Sequence, residues 1–181
     1  TPDATATGDD LNGVDDEDGV TRPAKTAGAP ATRPVVVSNN TGAPGYLNAW
    51  IDFNNNGVFT DSGEQIATNT SVANGTTNST FNLSLTVPAG AVTSTDVGVR
   101  VRVSNDISPG STGAGGVGEV EDYVVNINKA TTDFGDYSLF SIVSGTANSR
   151  LRLGAMVDTE YAATTNVTAT GVGAPSPVYS C

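Results

Sequence analysis

The chain has 181 residues, with Lys+Arg 8 against Asp+Glu 19, no His, one Cys and a formal charge of −11. These numbers exclude His-based triads, His-ligated zinc or haem, Cys-rich metal centres and an internal disulfide. The acidic balance speaks against nucleic acid and anionic membranes as partners. No apolar run approaches the ~20 residues of a membrane-spanning helix, so no membrane insertion is expected.

Only 15% of the residues are charged, and the lysines are Lys25 and Lys129. Thr, Ser, Asn, Gly and Ala fill the chain, a composition that favours strands and turns over helices. It reads as an extracellular or cell-surface protein. The start at Thr1, with no signal peptide, reads as a processed product or excised segment.

In chain order, residues 1–33 are polar and turn-rich, with an acidic block at Asp9, Asp10, Asp15, Asp16, Glu17 and Asp18. No apolar period appears there, so extended chain with a tight acidic loop is expected. Residues 34–128 alternate with period two in several runs. PVVVS (34–38) precedes them as a short apolar run. YLNAWIDF (46–53) places Leu47, Ala49, Ile51 and Phe53 inward, with Tyr46, Asn48, Trp50 and Asp52 on the other face. STFNLSLTV (79–87), DVGVRVRVS (96–104) and EVEDYVVNI (119–127) follow the same rule. Such alternation marks strands buried on one face, and Gly-rich turns separate them. The expected fold is all-β: an antiparallel β-sandwich with extended N- and C-terminal segments. Residues 129–181 carry scattered apolar anchors, too few for an independent core.

The sharpest motif is Asp52-Phe-Asn-Asn-Asn-Gly-Val-Phe-Thr-Asp-Ser-Gly-Glu64. Oxygen-bearing Asp52, Asn54 and Asn56 alternate, Gly57 permits a sharp turn, and Val58 offers a carbonyl. Calcium needs several hard oxygens around one point, and this spacing supplies them, with Asp61 or Glu64 as the closing carboxylate. The bland alternative is a solvated turn whose Asx side chains bond their own backbone. A second calcium candidate is the acidic loop with Asp9, Asp10, Asn12, Asp15, Asp16 and Asp18, against the reading of a solvated acidic linker.

Arg100 and Arg102 share one strand face, as do Glu119 and Glu121. Both arginines are expected to be held by carboxylates of the 119–122 stretch, each pair contributing roughly 0.2–1 kcal/mol. A two-carboxylate glycosidase site is the alternative, disfavoured because aromatics are only 6%. No enzyme activity is expected. Sequons at Asn39, Asn69, Asn74, Asn78, Asn82 and Asn166 mark exposed chain and admit a glycan. Cys181 offers a thiol for pairing between chains.

The stretches YLNAWIDFNNNGVFTDSGEQI, VRVRVSND and GVGEVEDYVVNI resemble the GEVED domain, a β-sandwich module of large secreted and surface-anchored bacterial proteins. The flanks resemble a unit of type D-F-G-D … R-x-x-L-G-x-x-V-D-x-E that precedes such modules, its tail at 1–20 and its head at 133–160. After Thr170-Gly171 the acidic loop of that unit is replaced by VGAPSPVYSC. The resemblance implies architecture, adhesion and calcium, with no enzyme activity. The expectation is a structural subunit of an extracellular filament, matrix fibre or adhesin. It would be stiffened by calcium and self-assembled head-to-tail as a homo-oligomer. The alternative is a carbohydrate-binding module using Trp50 and Tyr46 as an aromatic platform.

Overall fold

The computed structural model describes residues 25–135, 139, 141–148, 150–153, 157 and 159–163. The expected extended terminal segments and the acidic loop lie largely outside the described residues. So do Asp9, Asp10, Asn12, Asp15, Asp16, Asp18, Asn166 and Cys181.

The fold is all-β. Its strands are β1 (Lys25–Thr26), β2 (Pro30–Asn39), β3 (Gly45–Ile51), β4 (Gln65–Val72), β5 (Thr76–Thr86), β6 (Asp96–Ser104), β7 (Gly118–Asn128), β8 (Thr132–Phe134) and β9 (Ser144–Thr146). A five-stranded sheet runs in the order β1-β7-β6-β3-β4, and β2 pairs with β5 in a second sheet. All these ladders are antiparallel except β1 with β7, which is parallel and two residues long. The β8–β9 hairpin follows the sandwich and is closed by a bridge from Thr132 to Glu160. Among the described residues no helix is long and apolar enough to cross a membrane.

The core lies between the two sheets. Leu47, Ala49 and Ile51 of β3, Val97, Val99 and Val101 of β6, and Tyr123, Val125 and Ile127 of β7 meet Val35 and Val37 of β2 and Leu83 of β5. Each fully buried aliphatic side chain of this kind contributes about 1.5–3 kcal/mol. The inward faces are those the alternation predicts. Two cations join this interior: Lys25 and Arg33 are both buried, and burial, with the charge of Arg33, lowers the Lys25 pKa to about 8.

Two features depart from the sequence reading. β4 is a strand that alternation does not reveal. Its pairing with β3 slips between Leu47 and Ala49, where Asn69 adopts a left-handed φ of 49°. That bulge shifts the phase, so Ala67 and Val72 are both buried although they sit at odd and even positions. The second departure is that β3 is buried on both faces. Asn48, Trp50 and Asp52, assigned by alternation to the outer side, are 0%, 3% and 4% exposed. An exposed aromatic platform at Trp50 is therefore not present.

β7 opens on Gly118 because nothing larger fits. A Cβ there would overlap the Val103 carbonyl on the neighbouring strand. Gly118→Ala is expected to destabilise the domain by about 1–3 kcal/mol through this overpacking. Urea unfolding of the variant would check it, with an unchanged midpoint as the contrary result.

Candidate metal centre on the outer face

The ladder register decides what stands on the outer face of the main sheet. Trp50 pairs with Arg100 and Asn48 with Arg102 on one side; Arg100 pairs with Asp122 and Arg102 with Val120 on the other. Even-numbered residues of β6 therefore point away from the core. Two loops, 52–64 and 105–117, fold back over them.

Arg100 is held as expected. Its Nε and Nη2 donate to the two carboxylate oxygens of Asp122 at 2.7 and 2.5 Å, and Nη1 donates to the Ser111 carbonyl. The Asp122 carboxylate raises the Arg100 pKa further above its usual value. The Phe59 ring, from the other loop, lies 5.7 Å from the guanidinium carbon. Arg102 corrects the expectation, since it takes no carboxylate. Its Nη1 donates to the Gly110 carbonyl at 2.6 Å. The reason is phase: Glu119 and Glu121 pair with Val103 and Val101 and share their face, opposite to the arginines. Glu121 instead accepts a hydrogen bond from the Tyr123 hydroxyl.

Asn48 was not singled out by its sequence. Its Oδ1 accepts the Asn69 N–H at 2.9 Å, a donor exposed by the bulge in β4. Asn69 in turn exchanges two hydrogen bonds with Ser108, at 2.7 and 2.8 Å, and so pins the second loop. Among the sequons, Asn39 is buried, and its amide donates to the Ala43 and Val72 carbonyls, so it is structural. Asn74, Asn78 and Asn82 are exposed.

The 52–64 loop draws its named residues together. Both oxygens of Asp52 accept backbone N–H groups, from Asn56 at 3.1 Å and Gly57 at 2.8 Å. Asn54 and Asn56 each use Oδ1 to accept the N–H two residues on, from Asn56 and Val58. Their amide nitrogens both donate to Asp61 Oδ2, at 2.8 and 2.7 Å. Those two bonds hold the Asp61 carboxyl below its usual pKa. The Val58 side chain is exposed. Gly57 and Gly63, with φ of 84° and 87°, make the two sharp turns.

Glu64 behaves differently. It is 2% exposed, and neither carboxylate oxygen makes a hydrogen bond. Burial pushes its pKa up, and the negative charge of Asp52 adds to this; the backbone N–H groups of Asp61 and Asn54, outside hydrogen-bonding geometry, pull the other way. Its backbone closes the loop: the Glu64 N–H donates to the Asp61 carbonyl at 3.2 Å, and the Glu64 carbonyl accepts from the Ile51 N–H at 2.9 Å. Among the described residues no group of three or more His, Cys, Asp or Glu is already gathered as a cage. The candidate donors, carboxylates of Asp52, Asp61 and Glu64 and amide oxygens of Asn54 and Asn56, share one loop without converging on one point. All are hard oxygens, and a buried carboxylate lacking a donor fits a hard divalent cation.

The architecture is thus an all-β sandwich with two loops folded over the outer face of its main sheet. The GEVED domain family matches residues 46–126, from β3 through nearly all of β7, and the chain carries a GEVED domain. No curated protein and no solved structure matches the chain.

Folded Glu64 keeps its proton to higher pH than it does in the unfolded chain. Its contribution to cation-free stability is therefore present below the ordinary Glu value and is lost as pH rises through the raised folded value. Glu64→Gln is expected to flatten that loss and to raise the melting temperature in chelator at neutral pH. A pH series of thermal unfolding on both proteins checks this; parallel curves would contradict it.

Proposed function

We propose that the chain is a non-catalytic structural module of an extracellular bacterial assembly, a filament, matrix fibre or adhesin, stiffened by calcium at the 52–64 loop. The observation that carries this reading is the buried Glu64 carboxylate without a hydrogen-bond donor. Such a group costs the fold free energy, and a cation bound by Asp52, Asn54, Asn56, Asp61 and Glu64 would offset it. Calcium would supply charge neutralisation and would cross-link the end of β3 to the start of β4 through that loop. Arg100, Phe59 and Asp122 already tie the same face to β7.

Head-to-tail self-assembly is part of the proposal. Its support lies after the sandwich, where Leu139, Ile142, Val143, Leu151 and Leu153 are 61–96% exposed. Isolated exposed apolar residues are ordinary, but several within so short a stretch suit a surface that a second copy covers. The contact would join two different surfaces, and such heterologous contacts extend into filaments unless rotation closes a ring.

Calcium is expected to raise the melting temperature. A ligand specific to the folded state adds roughly 2.7 kcal/mol at a hundredfold excess over Kd. Calorimetry in calcium and in chelator tests this, and equal midpoints would overturn it. For the assembly, Leu151→Asp/Leu153→Asp is expected to leave the sandwich folded while shifting sedimentation toward monomer. Wild-type protein that stays monomeric at high concentration with calcium present would refute the assembly reading.

A further inference from the structure

We propose that Asn54 and Asn56 form a displaceable clamp on Asp61: without calcium their amide NH2 groups stand in for the cation, and calcium releases the clamp by taking Asp61. This rests on the calcium reading of the loop.

The argument starts from Asp61 Oδ2, where two amide donors converge at 2.8 and 2.7 Å. Two N–H dipoles aimed at one carboxylate oxygen supply the positive potential that a bound cation would supply there. The same amides keep Oδ1 inside the loop on the backbone N–H groups of Asn56 and Val58. An amide oxygen has two lone pairs, so each Oδ1 can keep its backbone donor and still serve a cation. The loop thus has two sets of partners for Asp61, and the side chains at 54 and 56 serve both.

Only asparagine does this. Aspartate at 54 and 56 would add two negative charges beside Asp52, Asp61 and the buried Glu64, with no donor for Asp61. Such a loop would bind calcium more tightly and would be unstable without it. Asparagine at both positions would keep the loop folded when calcium is withdrawn and lowers the charge at the site. That places affinity in the weak range used by extracellular calcium modules, about 10⁻⁴–10⁻³ M. The clamp therefore sets both the calcium threshold and the stability of the calcium-free state.

The test compares wild type, Asn54→Asp/Asn56→Asp and Asp61→Ala. Calcium binding is read by titration calorimetry, unfolding in chelator by melting temperature, and the Asn side-chain NH2 groups by ¹⁵N–¹H NMR. The double variant is expected to bind calcium at least tenfold more tightly and to melt lower in chelator; complete unfolding in chelator is the extreme of the same result. Calcium added to wild type should move the Asn54 and Asn56 NH2 signals toward those of Asp61→Ala in chelator, where the clamp has no acceptor. If wild type binds calcium but these signals stay put, or the double variant keeps the wild-type affinity and chelator melting temperature, the clamp is wrong and the calcium site stands. If wild type binds no calcium, both fall.

Discussion

The register of β6 against its two neighbours is the constraint on which the rest depends. Val97, Val99 and Val101 go to the core, so Gly98, Arg100 and Arg102 go to the opposite face. In most antiparallel sheets that face meets water. Here it is roofed by two loops, and every polar group beneath them needs a partner. Arg100 takes Asp122 and the Ser111 carbonyl, and Arg102 takes the Gly110 carbonyl. A one-residue slip of β6 would send arginines into the aliphatic core and valines under the loops, which makes the register self-enforcing.

The roof also explains the glycines before the β7 motif. A Cβ on Gly115 would press into the Arg102 guanidinium, and one on Gly116 into the Asn105 and Asp106 side chains. These glycines let the backbone pass close over the face it covers. The motif that follows divides by phase: Asp122 is the outward arm that grips Arg100, and Glu121 pairs with core-facing Val101. Two acidic residues adjacent in sequence thus serve opposite sides of one sheet, and the glycine ahead of them sets where the strand begins.

Legibility in the sequence followed the physics of each part. β3, β5, β6 and β7 could be read because an alternation runs through each, and β2 was read only in part, from the apolar run at 34–38. β4 could not, because the left-handed Asn69 changes its phase midway, and a bulge leaves no mark in residue type beyond an Asn that tolerates the conformation. The outer face was misread for another reason. Alternation reports that Asn48, Trp50 and Asp52 oppose the core-facing residues, but not whether a loop lies on them. That depends on Phe59 reaching Arg100 and Ser108 reaching Asn69, contacts 41 and 39 positions apart. At the candidate site the oxygen spacing was plain from Asp52 to Asn56. The burial of Glu64 was not, since a glutamate beside Gly63 at a loop's end reads as solvated.

The buried Lys25 gives the surface an unusual chemistry. Lys129, just after β7, is the other lysine and is exposed. An amine-directed dye, cross-linker or immobilising resin therefore meets one accessible ε-amino group, at the exit of the sandwich. Lysine-directed labelling of the folded protein thus reports on the stretch just after β7, and modification of Lys25 reports unfolding.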